Sequence, residues 1–158
     1  MALNINGTTG ISGVDGSASA PALQGTDSNT GINFASDTVN INTGGSTRAT
    51  VDSSGNLGVG NTNPSSFHSS GQNLVIGSGS GEEGMTIYSG TGSGGVLNFA
   101  DGTTSSDSYE GRIIYNHGDN SMRFHVNDGA ERMRILSDGD IVVGSYAAEY
   151  YESFTISP

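Results

Sequence analysis

ERMRILSDGDIVVG, residues 131 to 144, reads as two short strands joined by a glycine turn, and the pattern occurs twice. Shifted back by 84 residues it falls on TRATVDSSGNLGVG, residues 47 to 60. Arg48 then meets Arg132, Ser53 meets Ser137, Gly55 meets Gly139, Val59 meets Val143 and Gly60 meets Gly144. Apolar positions match as well, Val51 with Ile135 and Leu57 with Ile141, and upstream Gly45 corresponds to Gly129. A strand-turn-strand unit used twice predicts a modular, elongated protein whose units stack on their neighbours instead of adding to one globular core. Gly55 and Gly139 hold the matching turn, where a hairpin or bulge commonly requires a positive φ.

The repeat extends upstream. Ile32 and Phe34, then Val39 and Ile41, alternate with polar residues around Ala35-Ser36-Asp37. This is the period-two signature of a hairpin. The later copy places Ile113 and Tyr115 before the turn His117-Gly118-Asp119-Asn120, and Met122, Phe124 and Val126 after it. Five segments follow: an extended arm over 1–30, a first β repeat over 31–64, a β lobe with glycine-rich loops over 65–110, a second repeat over 111–144, and a tail over 145–158. In the lobe, strands are expected at Leu74 to Ile76, Met85 to Tyr88 and Val96 to Phe99, with a sandwich or jelly-roll-like arrangement. Asn63-Pro64-Ser65-Ser66 suits a single helical turn with Asn as cap, and Ala147 to Glu152 a short helix. The expected class is all-β, built mainly of short antiparallel strands.

Composition points to assembly. The chain holds 26 glycines in 158 residues, well above the average of roughly 7%. Glycine supplies no side chain to a core and costs more entropy to order, so a monomer of this composition is expected to need partner chains. Sixteen acids against five arginines, with no lysine, give a formal net charge of −11, which argues against nucleic acid as a partner. No apolar run reaches the roughly 18 residues of a membrane span, and the start Met1-Ala-Leu-Asn lacks the basic residues of a signal peptide. The absence of cysteine excludes disulfides and thiolate chemistry.

GRIIYNHGDNSMRFHVNDGAERMRILSDGDIVVG, residues 111 to 144, resembles a module of tailed-bacteriophage tail fibres that is often found ahead of a C-terminal intramolecular chaperone. NINGTTGISGVDGSASAPALQGTDSNTGINF, residues 4 to 34, is similar to the start of such virion proteins in marine phages. With no chaperone sequence before Pro158, the expectation is a short fibre or a decoration rather than a full-length receptor fibre. The resemblance implies a homotrimeric structural protein of the virion, a short fibre or a capsid or tail decoration (cement) protein, whose partners are its own copies and other virion proteins. A module that binds a host-surface glycan is the alternative.

Candidate chemistry is sparse. Arg48, Arg132 and Arg134 are three of the five cations; Arg132 and Arg134, two apart on a strand, are expected to face the same way. They suit ion pairs with acids of the same chain or, at a seam, across chains; the alternative is a clamp on a carboxylate or sulfated glycan. His68, His117 and His125 lack the spacing of a helical metal pair, although a trimer could gather one of them on its axis. Paired carboxylates occur at Glu82 with Glu83 and near Asp101, Asp107 and Glu110, but a glycosidase also needs a sugar-lined cleft, and the aromatic platforms are thin. The loop 101–110 lacks the alternating acids and central glycine of a calcium loop, and GSGSGEEG and GTGSGG lack the lysine and following helix of a phosphate loop. The expectation is therefore a non-enzyme without metal or cofactor.

Overall fold

The computed structural model describes residues 4–6, 10–12 and 15–144; the helix expected at 147–152 lies outside them. The chain is all-β and divides into two compact units, residues 1–85 and 86–158. In the first unit two small antiparallel pairs come first, β1 (Asn4–Asn6) with β2 (Gly10–Ser12) and β3 (Gly16–Ser17) with β4 (Ala20–Pro21). A six-stranded sheet follows: β5 (Leu23–Gln24), β6 (Gly31–Ala35), β7 (Thr38–Thr43), β8 (Ser46–Val51), β9 (Leu57–Val59) and β10 (Leu74–Ile76), side by side in chain order. Its pairs are antiparallel except β9 with β10, which run parallel across a connection containing the 3-10 turn Pro64–Ser66. Asn63 sits at the cap of that turn but makes no capping bond with its side chain. The second unit is a five-stranded antiparallel sheet of β11 (Gly94–Phe99), β12 (Gly111–Asn116), β13 (Ser121–Val126), β14 (Ala130–Ile135) and β15 (Ile141–Val143).

Three expectations are corrected. The arm does not stay free to residue 30: Phe34 N–H donates to Asp15 O at 2.8 Å and Gly45 N–H to Asn29 O at 2.9 Å, so residues from 15 onward are tied to the first sheet and its turns. Residues 65–110 do not form a lobe with a sheet of its own, because β10 extends the first sheet and β11 the second. Met85 to Tyr88 forms no strand. Local alternation cannot tell which sheet a short strand will join, since that depends on an edge left free elsewhere in the chain.

The repeat is reproduced bond for bond. Ala49, Thr50 and Val51 face Val59, Gly58 and Leu57, and 84 residues later Met133, Arg134 and Ile135 face Val143, Val142 and Ile141. Gly60 N–H donates to Arg48 O at 2.8 Å, as Gly144 N–H does to Arg132 O at 2.9 Å. Upstream the spacing shortens to 83 at β7 and β13, where Ile41 matches Phe124, and to 81 at β6 and β12, where Ile32 matches Ile113. Turn length is the cause. The second unit uses residues 117–120 where the first uses 36–37, and 127–129 where the first uses 44–45.

Gly55 and Gly139 have φ of +81° and +96°, and a methyl group added to either would meet nothing within 4 Å. Backbone strain alone therefore sets the cost of a side chain there. Gly139→Val is expected to destabilise the second unit by roughly 1–3 kcal/mol, measured as a shift in its denaturation midpoint.

At the corner of the first unit Asp52 stands where the second has Leu136. Its carboxylate accepts from Ser65 Oγ at 2.5 Å, Asn56 Nδ2 at 3.1 Å, and the backbone N–H groups of Asn56 at 3.0 Å and Ser54 at 2.9 Å. The Ser65 hydroxyl, with the Asn56 and Ser54 donors, holds its pKa at about 2, below the ordinary 3.8. A depressed carboxylate pKa means that this stabilisation is full above the unfolded value and is lost as pH falls through the folded one. The melting difference between the parent and Asp52→Asn is therefore expected to persist from neutral pH down to the ordinary carboxylate value, and to shrink on acidification from there toward pH 2.

In the first sheet burial runs contrary to residue polarity. In the first unit one face carries the cross-strand row Leu23, Ile32, Ile41, Ala49, Val59, Ile76 and the row Phe34, Val39, Val51, Leu57, Leu74. This apolar face is open, with Ile41 51% and Leu74 52% exposed. The opposite face holds Asn33, Asn40, Asn42, Thr47 and Thr50, and it is the one that is covered: Asn42 and Thr50 are each 1% exposed. Glycine permits that cover at Gly58, where a methyl would stand 2.1 Å from Asn61 O. The second unit has the matching rows Leu97, Ile113, Phe124, Met133, Val143 and Tyr115, Met122, Ile135, Ile141; Leu97, Tyr115 and Val143 are exposed and the others half-buried, as are Arg123, His125 and Glu131 on the opposite face.

Candidate functional site

The two polar faces are built by one device. Between β7 and β8 the pairing passes from Ile41 with Ala49 to Asn42 with Thr47, leaving Arg48 unopposed. Between β13 and β14 it passes from Phe124 with Met133 to His125 with Glu131, leaving Arg132 unopposed. Each of these arginines is the extra residue of a β-bulge, which shifts the alternation of side chains by one. Residues three apart then share a face, Thr47 with Thr50 and Glu131 with Arg134, which an unbroken strand forbids.

In the first unit this places a neutral network in the interior. Asn42 Nδ2 donates to Asn33 Oδ1 at 2.8 Å, Thr47 Oγ1 to Asn42 Oδ1 at 2.9 Å and Thr50 Oγ1 to Asn40 Oδ1 at 2.9 Å. At the equivalent positions of the second unit stand Arg123 for Asn40, His125 for Asn42, Glu131 for Thr47 and Arg134 for Thr50. Arg134 Nε and Nη2 donate to the two Glu131 oxygens, both at 2.8 Å, in a bidentate pair. Arg134 Nη1 also lies 3.6 Å from Asp119 Oδ2, and Arg123 Nη2 donates to the same oxygen. Ser121, fully buried, closes the ring by donating to Asp119 Oδ1 at 2.7 Å while accepting from Arg123 Nε at 2.8 Å. The Ser121 hydroxyl, with Arg123 and Arg134, lowers the Asp119 pKa. His125 Nδ1–H donates to Gly129 O at 2.7 Å, and its buried Nε2 stands 3.8 Å from Glu131 Oε2. Arg112 lies over the Tyr109 ring, 4.8 Å from its centroid, beside the same Gly129 carbonyl.

The arginines singled out from the sequence thus separate. Arg134, 9% exposed, finds its carboxylates in its own chain. Arg48 is exposed and donates to Thr43 Oγ1 at 2.9 Å, and Arg132 is exposed, its guanidinium without a hydrogen-bond or ion-pair partner among the described residues. Arg132 and Arg134 do not share an environment, so they do not form one clamp. Arg123, Asp119 and Glu131, which complete the cluster, carry no signal in the sequence, because only strand register brings them to Arg134.

The other candidates are engaged locally. Glu83 Oε1 accepts from Ser78 Oγ at 2.7 Å and Ser78 N–H at 2.8 Å, and the Ser78 hydroxyl leads the lowering of its pKa. His68 bonds Ser70 Oγ at 2.8 Å, and His117 meets the Tyr115 ring edge-on at 4.9 Å. Among the described residues, no group of potential metal ligands includes a histidine. Asp101, Asp107 and Glu110 do come together, with ligand atoms within 4.8 Å of one another. Asp107 is tied to Thr104 Oγ1 at 2.7 Å, and Glu110 accepts from Asp128 N–H at 3.0 Å.

What remains available for interaction is the open apolar face of the first sheet, with the exposed Leu97, Tyr115 and Val143 of the second. Comparison of the chain with protein-family models, with curated proteins and with solved structures finds no match.

Proposed function

We propose that this chain is a structural protein of a tailed-bacteriophage virion, a homotrimeric short fibre or a capsid or tail decoration that stabilises the particle or projects from it. The observation that carries this reading is the inverted burial of the first sheet, with apolar residues also exposed on the matching face of the second. The first unit closes its polar face with its own residues and leaves two rows of Ile, Val, Leu and Phe largely beside solvent, and the second leaves Leu97, Tyr115 and Val143 exposed on the matching face. Uncovered apolar area on this scale is what an assembly buries, at roughly 25 cal/mol per Å². Further copies of the same chain fit best, because a glycine-rich chain with its hydrophobic residues on one face lacks a core until copies bring those faces together. The resemblance of residues 4 to 34 and 111 to 144 to fibre and virion proteins supplies the setting.

Sedimentation equilibrium tests the assembly and a density map of the virion tests the location. A trimer that melts at higher temperature when more concentrated, seated on capsid or tail, is the expected result. A stable monomer with ordinary two-state unfolding would overturn it.

A further inference from the structure

Residues 84–100 carry no charged side chain, and they hold two unfinished pieces of β structure. The first is Met85-Thr86-Ile87-Tyr88-Ser89, whose composition is that of a strand. Among the described residues it has no backbone-to-backbone hydrogen bond, and most of its side-chain surface is exposed, Tyr88 at 97% with Met85 and Ile87 also exposed. Ser89 Oγ is buried without a partner. The second is β11, which pairs only with β12 and presents its outer edge unpaired. That edge, Gly94-Gly95-Val96-Leu97-Asn98-Phe99, has none of the devices that guard free edges: no lysine, no proline, no bulge.

The two pieces do not complete each other within one chain. A turn closed by Ser93 N–H to Gly90 O at 2.9 Å leads the segment over the face of β11, not along its edge: a methyl on Gly95 would lie 3.5 Å from Ile87 Cγ2 and 3.6 Å from Ile87 O. We propose that Met85 to Ser89 is a donated strand that pairs with the outer edge of β11 in a second copy of this chain. The inference rests on the self-association argued above and names its backbone contact. A second copy is the fitting occupant because it offers an uncharged, apolar edge to an uncharged, apolar segment. In a chain of net charge −11, such a stretch lets copies approach without setting carboxylates against each other. Strand addition then satisfies the open N–H and C=O groups on both sides.

The native chain lacks cysteine, so introduced thiols report alone. Chains bearing Tyr88→Cys are co-assembled with chains bearing Val96→Cys, Leu97→Cys or Asn98→Cys, all at exposed positions, and oxidised. At least one pairing is expected to yield an interchain disulfide that joins the two variants in high yield, and backbone amides of 86–88 and 95–98 in the unmodified assembly should exchange at least tenfold more slowly than in dissociated chains. Oligomers by sedimentation that show neither crosslinks nor slowed exchange would overturn the donated strand while leaving self-association standing. A monomer by sedimentation would remove both. Where a cysteine variant fails to assemble, the exchange measurement on the unmodified chain decides.

Discussion

Glu131→Ala is expected to destabilise the second unit by about 3–5 kcal/mol, the usual cost of leaving a buried charge without its partner. The carboxylate holds both donors of a bidentate pair with Arg134 and lies 4.0 Å from Arg123 Nε and 3.8 Å from His125 Nε2. Its removal leaves two arginines that are direct cross-strand neighbours, Arg123 opposite Arg134, with Asp119 as the remaining acid of the ring. The first unit supplies the control, since it runs the same backbone on neutral groups. A fourfold variant carrying Arg123→Asn, His125→Asn, Glu131→Thr and Arg134→Thr copies the Asn40, Asn42, Thr47 and Thr50 network. Replacing a buried ionic cluster as a whole is often neutral or stabilising. Urea denaturation should therefore place the fourfold variant closer to the parent than the single Glu131→Ala change. A single variant within about 0.5 kcal/mol of the parent, the range of an ordinary surface change, would show that the cluster is solvated.

Ile41→Glu is expected to dissociate the assembly, with a loss on the order of 3–5 kcal/mol per chain for a carboxylate buried without a partner. Ile41 is central in the row from Leu23 to Ile76, and at 51% exposure it has room for the longer side chain within a single chain. The two settings predict different outcomes. On a free surface the change costs within about 0.5 kcal/mol, and sedimentation is unaltered. At a seam between copies the chain sediments as a monomer while its circular dichroism retains strand signal. Ser53→Glu, on the exposed turn of the same unit, is the matched control for added charge and should leave assembly intact.

Much of the local structure was written in the sequence. Period-two alternation located both hairpins, and the strands at Leu74 to Ile76 and Val96 to Phe99 fall within β10 and β11. The repeated glycine turn was legible because positive φ at Gly55 and Gly139 is a demand on single residues. What alternation states is that a strand has two chemically different faces. It does not state which face the chain will cover with its own residues. That choice came from the connections between strands: Asn61 closes over Gly58, and Asp52, Asn56 and Ser65 tie the adjoining corner. The bulges were equally hidden. An extra residue exists only relative to a partner strand, so the spacing of Arg132 and Arg134 suggested a shared face, while the register of β13 against β14 gave Arg134 to Glu131 and left Arg132 in solvent. Hydrogen-bond register between strands is a property of pairs of segments, and only the folded chain supplies the second member of each pair.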